Sequence, residues 1–298
     1  MKKHSADWYN AMYNNRELVP EAGEHIEFWQ TRSQQVLKDT SSSRVQAFYG
    51  EGAIENMDIY PLEHQAKDER PTLAPVVVFI HGGYWRSLYK EDHAFVAPAL
   101  NELGACAVVL NYDLCPHVTV EQITLQMLKA LAWVWAHIKE YGGDPSRIHL
   151  VGHSAGGHLS AMLMSAKWKK FDSNLPKDLV KSALSISGLH EMESIRQTPF
   201  LNESLKLTPA SAIQLSPAWM PAPKRGQLYC VVGSKESAEF IRQCRLIQKT
   251  WGKKAVPVAE TVEGLQHFSI LESLLDASSP LIKLIKKMLK KSKASSKR

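Results

Sequence analysis

The sequence predicts an α/β fold, a mainly parallel sheet with helices on both faces. Three observations carry this expectation: short apolar runs recur along the chain, stretches of helical period lie between them, and Gly, Pro, Asn or Ser marks the junctions. Residues 75–80 (PVVVFI) form a near-continuous apolar run, as expected of a strand covered on both faces. Residues 105–110, 148–151, 183–186, 228–232 and 255–260 read the same way. Between them, residues 120–140, 157–169 and 237–250 carry the helical pattern. No internal repeat interrupts this alternation, so the expectation is a single domain over residues 1–298.

Three segments stand outside the alternation. Residues 1–57 are mostly polar with scattered Trp and Tyr, and are expected to form helices and a short strand packed over the first edge of the sheet. Residues 189–226 carry Pro199, Pro209, Pro217, Pro221 and Pro223, which predicts an irregular, cap-like insertion between the sixth and seventh strands. Residues 281–298 form a basic tail with Leu281, Ile282, Leu284, Ile285, Met288 and Leu289 at helical spacing. A final helix docked on the sheet explains that spacing better than a membrane-surface helix does.

The tail also explains the charge. The chain of 298 residues has a net charge of +6, and the tail holds eight Lys and Arg and no acidic residue, so the remainder is slightly acidic. Nucleic acid is therefore not an expected partner. Four cysteines (Cys106, Cys115, Cys230, Cys244) lack zinc or disulfide-framework spacing, which fits a reducing compartment. No apolar stretch approaches the roughly 20 residues of a membrane span, and the N-terminus lacks a signal-peptide pattern, so a cytoplasmic protein is expected. Oligomeric state stays open, a homodimer included.

The strongest chemical signal is GHSAG at residues 152–156, which matches G-x-S-x-G between a strand and a helix. A turn that sharp needs flanking positions nearly free of side chain, which Gly152 and Gly156 supply. Ser154 would then stand exposed at the carboxyl end of the sheet as a nucleophile. The second signal is HGGYW at residues 81–85, directly after an apolar strand. A Gly-Gly turn there can aim amides at a developing oxyanion, and Gly82, Gly83 and Tyr84, with Ala155 after the serine, are the candidate donors. His81 is expected to pin the turn and Trp85 to pack beneath it.

A serine needs a base and an acid, which follow it in this order in such folds. His267 alone among the histidines follows every predicted strand. The turn after residues 228–232 offers Glu236 and Glu239 as acids. Glu236 is preferred, because Glu239 falls in the first turn of a helix that Ser237 would cap. The rival metal site, His149, His153 and His158, straddles a strand, a turn and a helix, so its side chains should diverge. A non-catalytic binding protein on the same scaffold is disfavoured by the intact serine, histidine and HGGYW turn.

The pairing of HGGYW with GHSAGGHL resembles the arylformamidase (kynurenine formamidase) group of α/β-hydrolases, and the likeness extends to residues 109–116, the turn at 142–145 and residues 236–240. The resemblance implies an α/β-hydrolase fold and hydrolysis of N-formyl-L-kynurenine to L-kynurenine and formate, with Ser154, Glu236 and His267 at the triad positions. Such triads commonly hold aspartate where this chain has Glu236. It implies a small, aromatic acyl substrate and no metal or organic cofactor. The alternative is a carboxylesterase of short-chain or aryl esters using the same triad. Trp85, Tyr112 and Trp219 fall near the expected site and would suit an aryl substrate, while aromatic residues fill cores just as readily.

Overall fold

The computed structural model describes residues 4–62 and 72–295, with side chains placed up to Lys290. Eight strands form one sheet: β1 (Val45–Phe48), β2 (Asn56–Tyr60), β3 (Ala74–Ile80), β4 (Cys106–Leu110), β5 (Gly143–His153), β6 (Val180–Ile186), β7 (Gln227–Gly233) and β8 (Val258–Val262). Their order is β1-β2-β4-β3-β5-β6-β7-β8. The pairs β1–β2 and β2–β4 are antiparallel and all others are parallel. This is the α/β-hydrolase architecture, with the irregular insertion between β6 and β7 as expected.

Alternation along the central strands separates two apolar layers. Val76, Val78 and Ile80 join one core cluster, together with Leu159 and Phe240 from the helices Ala155–Met164 and Ala238–Ala255. Val77 and Phe79 point into the other, with Leu281, Ile282, Ile285 and Met288 of the helix Pro280–Ser295. The apolar face of that last helix is thus buried on the sheet while Lys283, Lys286, Lys287 and Lys290 face outward. The far end of the basic tail, with Lys297 and Arg298, lies outside the described residues.

Several boundaries differ from the expectation. The last strand is Val258–Val262, because the preceding helix runs on to Ala255 past a kink at Gly252 (φ 79°, ψ 158°). Ala255 and Val256 fill the core as the end of that helix, which accounts for their apolar character. The helix after β5 stops at Met164, and a separate turn of helix, Trp168–Phe171, follows. The helix from Val120 ends at His137 and tightens into a 3₁₀ turn, Ile138–Tyr141. Only Val45–Phe48 of the N-terminal segment extends the first edge. Its helices Ala6–Tyr13 and Ala22–Asp39 instead pack over the carboxyl ends of the strands, against helices Glu193–Arg196, Pro199–Leu205 and Ala238–Ala255 and the turn Lys90–Asp92.

Several buried imidazoles along the sheet and its loops are neutral. Burial pushes His81 and His158 down to about 3, and His149 and His190 down to about 4. Burial, with His267 close by, also holds His153 well below its ordinary 6.5. The unfolded chain protonates these side chains near 6.5 and the folded chain does not, so they favour folding above that pH and lose this contribution as pH falls. Urea unfolding between pH 7 and 5 should therefore show a falling midpoint and an uptake of at least about two protons on unfolding. A midpoint constant over that range would contradict this assignment of neutral imidazoles.

Candidate active site

The site begins with a backbone that ordinary residues avoid. Ser154 sits at φ 55° and ψ −115°, at the turn between β5 and the helix Ala155–Met164. Its amide donates to Ile186 O at 2.8 Å, tying the turn to β6. A Cβ on Gly152 would overlap the carbonyl of Gly156, and one on Gly156 would overlap the carbonyl of Ile80. The two glycines are therefore required by close backbone approach on both sides of the serine.

His267 follows β8 in a loop laid against the turn after β7. The loop passes Gly233 where a Cβ would strike Leu265, and Lys235 N donates to Leu265 O at 3.0 Å. His267 Nε2 stands 3.1 Å from Ser154 Oγ, and its Nδ1 stands 2.7 Å from Glu236 Oε2. With the proton on Nδ1, donated to the carboxylate, Nε2 is left to accept from the serine hydroxyl. Ser154, Glu236 and His267 are all buried or nearly so. The other carboxylate oxygen, Glu236 Oε1, accepts from Ser187 Oγ at 2.5 Å and from Gly233 N at 2.7 Å.

Glu239 is turned elsewhere. It accepts from Tyr13 and pairs with Arg242 at 2.7 Å, inside a buried polar network with Ser194, Gln243 and Glu191. Ser237 occupies the N-cap of that helix, yet its hydroxyl caps nothing. The other histidines diverge as expected: His149 bonds Ser182, His158 Nε2 donates to Leu215 O, and His153 Nε2 donates to His267 O at 2.9 Å. His153 thereby steadies the backbone of the histidine that faces Ser154.

The HGGYW turn lies directly beside the serine. A Cβ on Gly82 would lie 3.1 Å from Ser154 Cβ. Gly83, Tyr84 and Trp85 all have positive φ (103°, 50° and 56°), so the turn is unusually strained. Its amides at Gly82, Gly83 and Tyr84 donate to no acceptor among the described residues, as suits an anion hole shared with Ala155. Side chains hold the strain in place. The His81 ring stacks on Tyr112 at 4.1 Å, and Tyr112 donates to His81 O at 3.0 Å. Tyr84 donates its hydroxyl to Tyr13 O at 2.7 Å and accepts from Asn15 at 3.3 Å. Trp85 is fully buried, edge-on to His158.

Ser154, His267, Gly83 and Tyr84 line a cavity of about 360 Å³. Its aromatic walls are Tyr13, Trp29, Phe200 and Phe268, and its rim includes Arg16 and Arg86. Trp85 packs beneath the turn as expected, Tyr112 is likewise a core residue, and Trp219 is about half exposed and is not among the residues lining the cavity. Sequence reasoning missed Ser187, Tyr13, Arg16 and Trp29. Ser187 had a signal, since it follows the strand that ends between the serine and acid strands. The N-terminal residues had none, because helices packed over the sheet carry no register with it.

The chain is similar to known hydrolases. The BD-FAE family model matches residues 57–211. Kynurenine formamidase of Danio rerio is 33% identical over 250 residues, covering 82% of this chain and 81% of its own length. Esterase LipQ of Mycobacterium tuberculosis is 37% identical over 116 residues, covering 38% of this chain and 27% of its own length. Among solved structures, a Silicibacter sp. TM1040 protein described as a candidate thioesterase is 26% identical with a TM-score of 0.78, over 92% of this chain and 97% of its own. The chain therefore belongs to the BD-FAE and kynurenine formamidase families of α/β-hydrolases and is a hydrolase.

Proposed function

We propose that the chain is a serine hydrolase of aryl formamides that converts N-formyl-L-kynurenine to L-kynurenine and formate, a step of tryptophan catabolism, with Ser154, His267 and Glu236 as its catalytic triad. One observation carries the reading: a single imidazole bridges a strained serine and a fully hydrogen-bonded carboxylate at the floor of an aromatic cavity. The likeness to Danio rerio kynurenine formamidase over most of both chains supports the substrate.

In this mechanism Ser154 Oγ attacks the formyl carbon as His267 Nε2 takes its proton. The new C–O bond raises an oxyanion, which the amides of Ala155, Gly83 and Tyr84 meet, with Gly82 packed behind the serine. His267 then gives the proton to the departing aryl nitrogen, the C–N bond breaks, and the formyl group stays on the serine. Water, deprotonated by the same imidazole, attacks the formyl ester and releases formate. Glu236 accepts the hydrogen bond from Nδ1–H and stabilises the imidazolium. Its bonds from Ser187 and Gly233 keep it in place and satisfy the oxygen that does not face His267. Each chemical role falls to a side chain or amide of the protein. The likeness to esterase LipQ supports esters as the second substrate class, since the same attack on an ester carbonyl needs no rearrangement.

The substrate reading is tested by kcat/KM for N-formyl-L-kynurenine beside 4-nitrophenyl acetate. The formamide should be preferred by at least about 100-fold, and Ser154→Ala should abolish both activities. Turnover of the ester alone would leave the serine chemistry standing and overturn the formamide assignment. The acid is tested by a pair of variants. Glu236→Gln should lower kcat by about 10³- to 10⁴-fold by favouring the wrong imidazole tautomer, with little change in fold. Glu239→Gln should keep most of the activity yet lower the melting temperature by a few degrees, because it breaks the buried pair with Arg242. The opposite pattern would move the acid to Glu239.

A further inference from the structure

The charge on the cavity is one-sided. Two guanidinium groups, Arg16 and Arg86, line it, and no Asp or Glu among the described residues does. Arg86 is already committed: it donates to Phe200 O at 2.6 Å and Ser204 Oγ at 3.2 Å and sits 5.5 Å over the Phe200 ring. Burial lowers its pKa from the ordinary value, partly offset by the Tyr84 hydroxyl and the Glu203 carboxylate. Arg86 therefore fastens the insertion over the cavity. Arg16 is exposed at the rim, in the short helix Asn15–Leu18, and makes no ion pair or side-chain hydrogen bond among the described residues. Its neighbour Asn15 is held by the Tyr84 hydroxyl, so the rim that carries Arg16 is fixed to the turn that faces Ser154.

We propose that Arg16 binds the carboxylate of the substrate's amino-acid group and so sets the preference for an anionic aryl formamide over a neutral one. This rests on the formamidase reading given above. A planar guanidinium can hold a carboxylate through two parallel N–H donors, and no donor of the Arg16 side chain is engaged among the described residues. The aromatic walls line the same cavity as Arg16 and Ser154, which suits an aryl ring linking a carboxylate to a formamide. The substrate's ammonium group meets no carboxylate in the cavity lining and is left facing solvent. Arg16 acts on binding rather than on the chemical step, so its removal should appear in KM.

The test compares wild type, Arg16→Gln and Arg16→Lys on N-formyl-L-kynurenine and on formanilide, a neutral aryl formamide. In Arg16→Gln the ratio of the two kcat/KM values should fall about 10- to 100-fold, through a raised KM for the anionic substrate, and Arg16→Lys should restore part of it. An unchanged ratio, or a parallel loss on both substrates, would overturn the proposal. A second arm does not require formamide cleavage: inhibition of 4-nitrophenyl acetate hydrolysis by L-kynurenine and by its decarboxylated amine. Wild type should bind L-kynurenine more tightly, and Arg16→Gln should erase the difference. If wild type fails to cleave N-formyl-L-kynurenine yet shows this difference, the substrate assignment falls and the carboxylate site stands. Equal inhibition by both compounds in wild type would overturn the carboxylate site itself.

Discussion

Ser154 is held in a region of backbone space that disfavours any L side chain by about 1–3 kcal/mol, and much of the architecture serves to keep it there. β5 delivers it, β6 receives its amide, and the bare Cα atoms of Gly152 and Gly156 let neighbouring carbonyls approach. A second strained turn, residues 83–85, lies against the first, so two unfavourable conformations share one small volume. Neither would persist on a loop free to relax. They persist because a sheet with apolar layers on both faces fixes the strand ends from which both turns leave.

Electrostatics around the serine follow from burial. The supporting imidazoles are neutral, so His81, His93 and His153 can stack and donate without placing a charge beneath the turns. The buried carboxyl group of Glu236 is satisfied on both oxygens, by Ser187, Gly233 and His267. Charge near the opening comes from Arg16 and Arg86. The rim thus carries positive charge, while the interior holds the hydrogen-bonded chain from Ser154 through His267 to Glu236.

The central sheet was legible in the sequence because buried parallel strands must be apolar at nearly every position, as residues 75–80 and 105–110 are. The serine, histidine and HGGYW turn were legible for a different reason: their chemistry imposes fixed residue types at fixed places relative to strands. The choice between Glu236 and Glu239 turned on where a short turn aims its side chains, and the pairing with His267 places Glu236 beside it. The limits of the last strand were misread because Ala255 and Val256 are apolar for a helix end rather than for a strand. The cavity walls were not legible at all. Tyr13, Trp29 and Phe200 come from segments whose periodicity reports which side faces the core, and carries nothing about which neighbour they meet.

In the proposed mechanism Ser154 is a nucleophile activated by His267. Labelling with diisopropyl fluorophosphate, followed by peptide mass mapping, tests it without reference to any substrate. The account predicts one phosphoryl adduct, on Ser154, with loss of activity in proportion, and a much slower reaction in His267→Ala. Inactivation with the adduct on another residue, or labelling of Ser154 at an equal rate without His267, would contradict it.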